Sequence, residues 1–473
     1  MPRLLPILIC MSAICFLGAQ EKLVDTTNSI QINGQIINYK ATAGTIELKD
    51  DSDKPTANMF YVAYTKVGDM PLTKRPITYC FNGGPGCPSI WLHMGAFGPK
   101  RVTAHGVEDN EYSLLDLTDL VFIDPVSTGY SRAASGVDPK QFYGYESDVA
   151  SVAKFIRIYT TRFNRWLSPK FVAGESYGTT RAVGVANRLQ NEVELAVSGV
   201  ILISTVLNWG IDFTEGNDLP YPLYLPSYTA AAWYHKKLSK DLLVGDLMSA
   251  LKESEDFALG EYASALILGD ALPKDQKKMI VEKLSRLTGM ETEDVNRENL
   301  RMTDQYFVGN LLRDENRVIG VLDTRAKGIE LNSPDSYTDP SLDFTFSEGF
   351  NSYVRTTLKY ETDQEYVLSA DVDPWDYSKN KALNVSGELR EAMSVNPSMR
   401  VFAASGYFDL ATPYRSVDYT INHLDLDPSI KSHLIQKYYH AGHMIYNDRP
   451  SAKKLKEDLT KFYDGFSSPF TKQ

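Results

Sequence analysis

The sequence predicts an α/β protein: a central, mostly parallel sheet with helices on both faces, antiparallel N-terminal strands and an inserted helical cap. Three features lead there. Short apolar runs recur at Ile77–Phe81, Leu120–Ile123, Phe171–Ala173, Val200–Ile203, Val401–Ala404 and Leu434–Tyr439, helical periodicity lies between several of them, and one run leads into a serine flanked by glycines. Runs that are mostly apolar, rather than alternating, read as strands buried on both faces, the pattern of a parallel sheet covered by helices.

Taken in order, residues 28–66 alternate apolar and polar side chains. Ile30-Gln31-Ile32 is followed by Asn33-Gly34 as a hairpin turn, then by Ile36-Ile37-Asn38-Tyr39, Thr45–Leu48 and Met59–Tyr64, an antiparallel start to the sheet. Helices are expected over Ser147–Phe163 and Thr179–Gln190, and a last amphipathic helix over Lys453–Tyr463. From about Asp212 to Asp373 the chain is charged and helical in pattern, as in Lys236–Glu253 and Lys274–Leu287, and the sheet pattern resumes afterwards. This predicts a core in two parts, 20–211 and 374–473, separated by a cap over 212–373.

A chain of 473 residues with 43% hydrophobic and 23% charged residues is globular, which excludes global disorder. Its net charge of −11 offers no electrostatic basis for binding nucleic acid. Residues 1–19 read as a signal peptide: Arg3, the apolar stretch Leu4–Phe16, then Leu17-Gly18-Ala19. Export to a periplasmic or extracellular site is therefore expected, with no stable membrane insertion of the mature chain. Two of the four cysteines lie in that segment, so the mature chain keeps Cys80 and Cys87, enough for one bridge but not for a disulfide framework.

The chemistry centres on Gly174-Glu175-Ser176-Tyr177-Gly178, directly after the run Phe171–Ala173. A serine on so sharp a strand-to-helix turn projects its hydroxyl above the sheet, and small flanking residues let neighbouring backbone come close. Such a nucleophile needs a general base and a carboxylate to orient that base. Of seven histidines, His443 lies in the loop after the strand ending at Tyr439 and is preferred over His440, three residues earlier. A zinc reading of His440-x-x-His443 lacks a third ligand. Asp409 follows the strand Val401–Ala404 and fits the acid's place between serine and histidine better than Asp418 or Asp425. The backbone N–H of Tyr177 supplies one oxyanion donor, and the Gly-rich loop Asn82-Gly83-Gly84-Pro85-Gly86 after Ile77–Phe81 supplies the other. The loop lacks the lysine and spacing of a phosphate-binding loop.

Four blocks together resemble the serine carboxypeptidase family of α/β-hydrolases: Asn82–Cys87, Phe122–Ser131, Gly174–Gly178 and Gly442-His443-Met444. The resemblance implies a Ser176–Asp409–His443 triad, an oxyanion hole from the N–H groups of Gly84 and Tyr177, and recognition of a peptide's free carboxylate by Asn82 and Glu175. It implies no cofactor, and peptide or protein C-termini as substrate. Glu175 would donate a hydrogen bond to that carboxylate only while it keeps a proton, which favours acidic pH. The chain departs from the family at two positions: Ala96 stands where a second carboxylate-binding glutamate is expected, and Cys87 lacks its usual distant partner. These departures suggest a divergent, bacterial-type branch. Arg101 is a candidate replacement charge. The expected activity is that of a secreted serine carboxypeptidase acting through an acyl-enzyme; the alternative is an esterase or acyltransferase on the same scaffold. Asn384-Val385-Ser386 fits a glycosylation sequon.

Overall fold

The computed structural model describes residues 21–68, 70–329, 340–377 and 382–464, with side chains of the third stretch from residue 343. The expected signal segment, 1–19, lies outside the described residues.

Among the described residues the main sheet has ten strands, nine of them in one continuous path: β1 (Leu23–Ile32), β2 (Gln35–Lys49), β3 (Pro55–Lys66), β4 (Ile77–Phe81), β5 (Asp119–Ile123), β6 (Lys170–Ser176), β7 (Gly199–Thr205), β8 (Arg400–Gly406) and β9 (Leu434–Tyr439). Their spatial order is β1-β2-β3-β5-β4-β6-β7-β8-β9, with the short strand Arg132–Ala133 pairing on β3. The β1–β2, β2–β3 and β3–β5 pairs are antiparallel. Every pairing from β5 through β4, β6, β7 and β8 to β9 is parallel. Asn33 and Gly34 both take positive φ, 50° and 77°, and turn β1 into β2 with Ile32 opposite Gln35.

Alternate residues of the parallel strands feed two cores. Phe171, Ala173, Ile201 and Ile203 face one side, where they meet Phe350 and Val354 of α4 (Pro340–Thr356) and Leu455 and Leu459 of α6 (Arg449–Asp464). Val172, Val200 and Leu202 face the other, against α1 (Tyr145–Arg162), α2 (Tyr177–Asn191) and α5 (Ser386–Val395). The period of two along each strand accounts for both faces being apolar.

Residues 220–319 build most of a third core, from Tyr224 in α3 (Pro220–Tyr234) to Ile319, which Leu410 joins from the loop after β8. The segment 340–377 behaves differently: Phe346, Phe350, Tyr353 and Tyr366 join the core on the sheet. By packing, the stretch between Asp212 and Asp373 therefore divides into a helical unit and a segment laid against the sheet. The helix expected over Lys236–Glu253 is not continuous. Helix α3 ends at Tyr234, Lys236 turns with φ 59°, a short helix spans Lys240–Val244, and a new one starts at Leu247. Asp246 caps that last helix by accepting the Ser249 N–H at 2.9 Å, and an N-cap of this kind marks a fresh start rather than a helix interior. Lys274–Thr288 and Arg449–Asp464 form where helices were expected.

Candidate active site

Strand β6 ends on Ser176, and α2 begins at the next residue. Ser176 has φ 60° and ψ −132°, a left-handed conformation that costs an L-residue on the order of 1–3 kcal/mol. The turn closes because its neighbours are small: a Cβ on Gly174 would stand 1.9 Å from the Gly178 carbonyl oxygen. Parallel pairing with β4 on one side and β7 on the other centres the serine at the C-terminal edge of the sheet.

The loop after β4 lies directly against this turn. A Cβ on Gly83 would meet the Tyr177 backbone nitrogen at 2.5 Å, so this loop and the start of α2 touch through backbone. Tyr177 opens a helix, where N–H groups have no carbonyl one turn earlier and carry the positive end of the helix dipole. Arg181, one turn on in α2, fixes the loop. It is fully buried, donates from its guanidinium to the Asn82 carbonyl and from Nε to Asp148 Oδ2 at 2.7 Å, and lies near the rings of Phe81 and Tyr177.

The loops after β8 and β9 bring Asp409 and His443 together. His443 Nδ1 lies 2.8 Å from Asp409 Oδ2, and both side chains are buried. Asp409 also accepts from Thr412, by N–H at 3.0 Å and Oγ1–H at 2.6 Å. With Nδ1–H donated to Asp409, Nε2 is left as the basic nitrogen. Burial opposes charge on His443, but the charge and hydrogen bond of Asp409, with Glu175 nearby, hold its pKa above the usual value. The competing candidates go elsewhere. His440 is exposed against the rings of Tyr407 and Phe408. Asp418 accepts from Arg415, Gln436 and Tyr438. Among the described residues, no group of three or more metal-ligating side chains is arranged to hold an ion.

Ser176, His443, Gly84, Asn82 and Glu175 all line one open cavity of about 600 Å³. Asn82 Nδ2 donates to Glu175 Oε2 at 2.7 Å, while its Oδ1 accepts from the Leu92 N–H at 3.0 Å, which sets the amide's orientation. Burial pushes the Glu175 carboxyl up to about 7, against the opposing pull of His443, Tyr446 and Asn82. Cys87 shares the cavity and is not bridged to Cys80. Burial raises its thiol to about 12, so it is no competing nucleophile near neutral pH.

Two side chains were not singled out from the sequence. Arg181 reads there as an ordinary helix residue. Tyr446 donates its hydroxyl to Glu175 at 2.9 and 3.1 Å, and only its place three residues after His443 hinted at proximity. Arg101 points away from the cavity, into a small cleft behind Tyr446 that Gly95 and Ala96 also line.

A serine on a strained strand-to-helix turn, with a histidine and an aspartate from later strand ends, defines an α/β-hydrolase. A family model described as serine carboxypeptidase matches residues 32–444, and the chain belongs to that family. Over 164 residues it is 31% identical to the pheromone-processing carboxypeptidase KEX1 of Saccharomyces cerevisiae, covering 32% of this chain and 22% of that protein. It is 28% identical over 182 residues to serine carboxypeptidase-like 33 of Arabidopsis thaliana, covering 36% of this chain and 37% of that one. The matched stretches thus span well under half of each relative. The crystal structure of KEX1(Δ)p, a prohormone-processing carboxypeptidase from S. cerevisiae, shares the fold with a TM-score of 0.57 at 17% identity, covering 90% of this chain and 91% of that one.

Proposed function

We propose that the protein is a serine carboxypeptidase that releases C-terminal residues from peptides through an acyl-enzyme on Ser176. One observation carries this reading beyond serine hydrolysis in general: the hydrogen-bonded pair Asn82–Glu175 lines the same cavity as Ser176 and His443. Its Glu175 carboxyl keeps a proton up to about pH 7. A protonated carboxyl beside the nucleophile donates to a substrate carboxylate, whereas an ionised one repels it.

The steps follow from the roles. His443 Nε2 takes the Ser176 hydroxyl proton as Oγ bonds to the scissile carbonyl carbon. The N–H groups of Gly84 and Tyr177 receive the negative oxygen, a contact worth about 3–4 kcal/mol per donor in comparable sites. His443 then gives the proton to the leaving amine as the C–N bond breaks. Water, activated by the same nitrogen, frees the shortened peptide. Asp409 keeps the imidazole in the required tautomer throughout.

The test compares a peptide bearing a free C-terminus with its C-terminal amide, identifying products by mass. Loss of single residues from the free acid, with the amide cut far more slowly, supports exopeptidase action. Equal cleavage points to the esterase or acyltransferase alternative, or to an endopeptidase. The apolar segment Leu4–Phe16 supports export to a periplasmic or extracellular site. A mature N-terminus near residue 20, read by sequencing the exported protein, is the expected result; a retained Met1 contradicts removal of the segment. No helix of the described residues is long and apolar enough to cross a membrane.

A further inference from the structure

We propose that Tyr446 is a positioning residue that holds the Glu175 carboxyl group in the orientation needed to receive the substrate's terminal carboxylate. The inference rests on the carboxypeptidase reading above and assigns a third member to the Asn82–Glu175 pair.

Tyr446 follows the His443 loop in the one-turn helix Ile445–Asn447, and it is buried. Its hydroxyl lies 2.9 Å from Glu175 Oε2 and 3.1 Å from Oε1, while Asn82 approaches Oε2 from the loop after β4. Donors from two separate loops thus fix the plane of the carboxyl group, and a proton on it can be aimed at a ligand. The neighbouring residues Met444 and Asn447 line the cavity, whereas Tyr446 lines the cleft behind it with Gly95, Ala96 and Arg101. The hydroxyl therefore acts through Glu175.

The ring fits because the helix Leu92–Phe97 presents glycine and alanine to it. A Cβ on Gly95 would stand 2.5 Å from Tyr446 Cε2 and 2.9 Å from Cδ2, a clash with a ring buried in the core. Ala96, where the family resemblance leads one to expect a carboxyl side chain, lines the same small cleft as the ring. The side chain that reaches Glu175 is thus a phenol from the histidine loop, and burial keeps that phenol neutral by raising its pKa well above 10.

The titratable groups facing Glu175 are His443 and Tyr446 after β9, Asp409 after β8 and Cys87 after β4. A hydroxyl donated to a carboxylate favours its ionised form, so removing the hydroxyl raises the Glu175 pKa further. Tyr446→Phe keeps the ring against Gly95 and deletes the hydroxyl, with its bonds to Glu175 and to Asn82. With free-acid peptides its kcat/KM should fall about tenfold, carried by KM. The alkaline limb of its pH profile should move up by about one pH unit, the scale of one hydrogen bond to a charged group. Cleavage of the matching peptide amide should stay within about twofold of wild type. In a Glu175→Gln background, adding Tyr446→Phe should change KM no further. Wild-type enzyme that fails to distinguish acid from amide overturns the carboxypeptidase reading and this inference with it. Wild-type enzyme that does distinguish them, with Tyr446→Phe leaving KM and the alkaline limb unchanged, overturns the inference alone. So does an equal KM increase from Tyr446→Phe in the wild-type and Glu175→Gln backgrounds, which marks a merely structural role.

Discussion

Ser176→Ala should lower kcat by about 10⁴- to 10⁶-fold while leaving the fold intact. The residue stands between β6 and α2 with φ 60°, and alanine, the smallest side chain with a Cβ, meets the same backbone demand as serine there. The turn is packed through backbone, at Gly83 and Gly174, and the substitution leaves that backbone unchanged. What disappears is the hydroxyl proposed as nucleophile. His443→Ala should cost a similar factor, and the double variant little more, because the two groups act as one unit. A fluorophosphonate should label wild type at Ser176 and leave Ser176→Ala unlabelled. Hydrolysis at the wild-type rate in Ser176→Ala contradicts the mechanism outright.

Arg181→Met should give the largest loss of stability among single changes around the site. Arg181 and Asp148 are both buried, and their 2.7 Å contact pairs two charges in a low-dielectric interior. Removing the guanidinium leaves the Asp148 carboxylate with the Tyr177 hydroxyl at 3.0 Å as its remaining side-chain donor. Stranding a buried charge in this way costs about 3–5 kcal/mol. Adding Asp148→Asn should recover much of that, since an amide tolerates burial better than an unpaired carboxylate. Activity should fall as well, on the order of 10²-fold, because the Asn82 carbonyl loses its hold on α2 and the oxyanion loop drifts. Denaturant midpoints for the two singles and the double measure the coupling. A destabilisation below about 1 kcal/mol for Arg181→Met contradicts the role given to the clamp.

Most parallel strands were legible because they are apolar along their length and end at a polar or glycine-rich loop. Leu434–Tyr439, at the sheet edge, carries Gln436 and Lys437 and is half-buried rather than buried on both faces. Ile77–Phe81 and Leu434–Tyr439 form over the residues that the pattern marks. Chain order and strand ends also pointed to Asp409 and His443, which meet at 2.8 Å although 34 residues separate them. Helix α3 was not legible. Its residues Pro222 to Ala232 are all buried, so it lacks the polar stripe that reveals a surface helix, and it carries prolines that read as breaks. Tyr446 and Arg181 escaped for another reason. Their roles depend on which loop meets which across the sheet, and an isolated tyrosine or arginine carries no local pattern of that meeting. Ala96, marked in the sequence as a departure from the family pattern, lines the same cleft as Tyr446, whose hydroxyl reaches Glu175.

The central claim is that a protonated Glu175 next to the nucleophile reads the free carboxylate of the substrate. Its most direct test is kcat/KM for a peptide acid and for its amide, measured in parallel from about pH 4 to 8, the range that brackets carboxyl and imidazole titration. With its pKa pushed up to about 7, Glu175 would hold its proton below that pH and donate to the substrate carboxylate; above it, two carboxylates would face each other. The acid should therefore be preferred on the order of 10²-fold at the low end, the scale of a charge-assisted hydrogen bond. That preference should collapse as pH passes through about 7. Cleavage of the amide should instead rise as His443 loses its proton, with no alkaline fall. An acid-to-amide ratio near one, or a preference that stays constant across the range, contradicts the account.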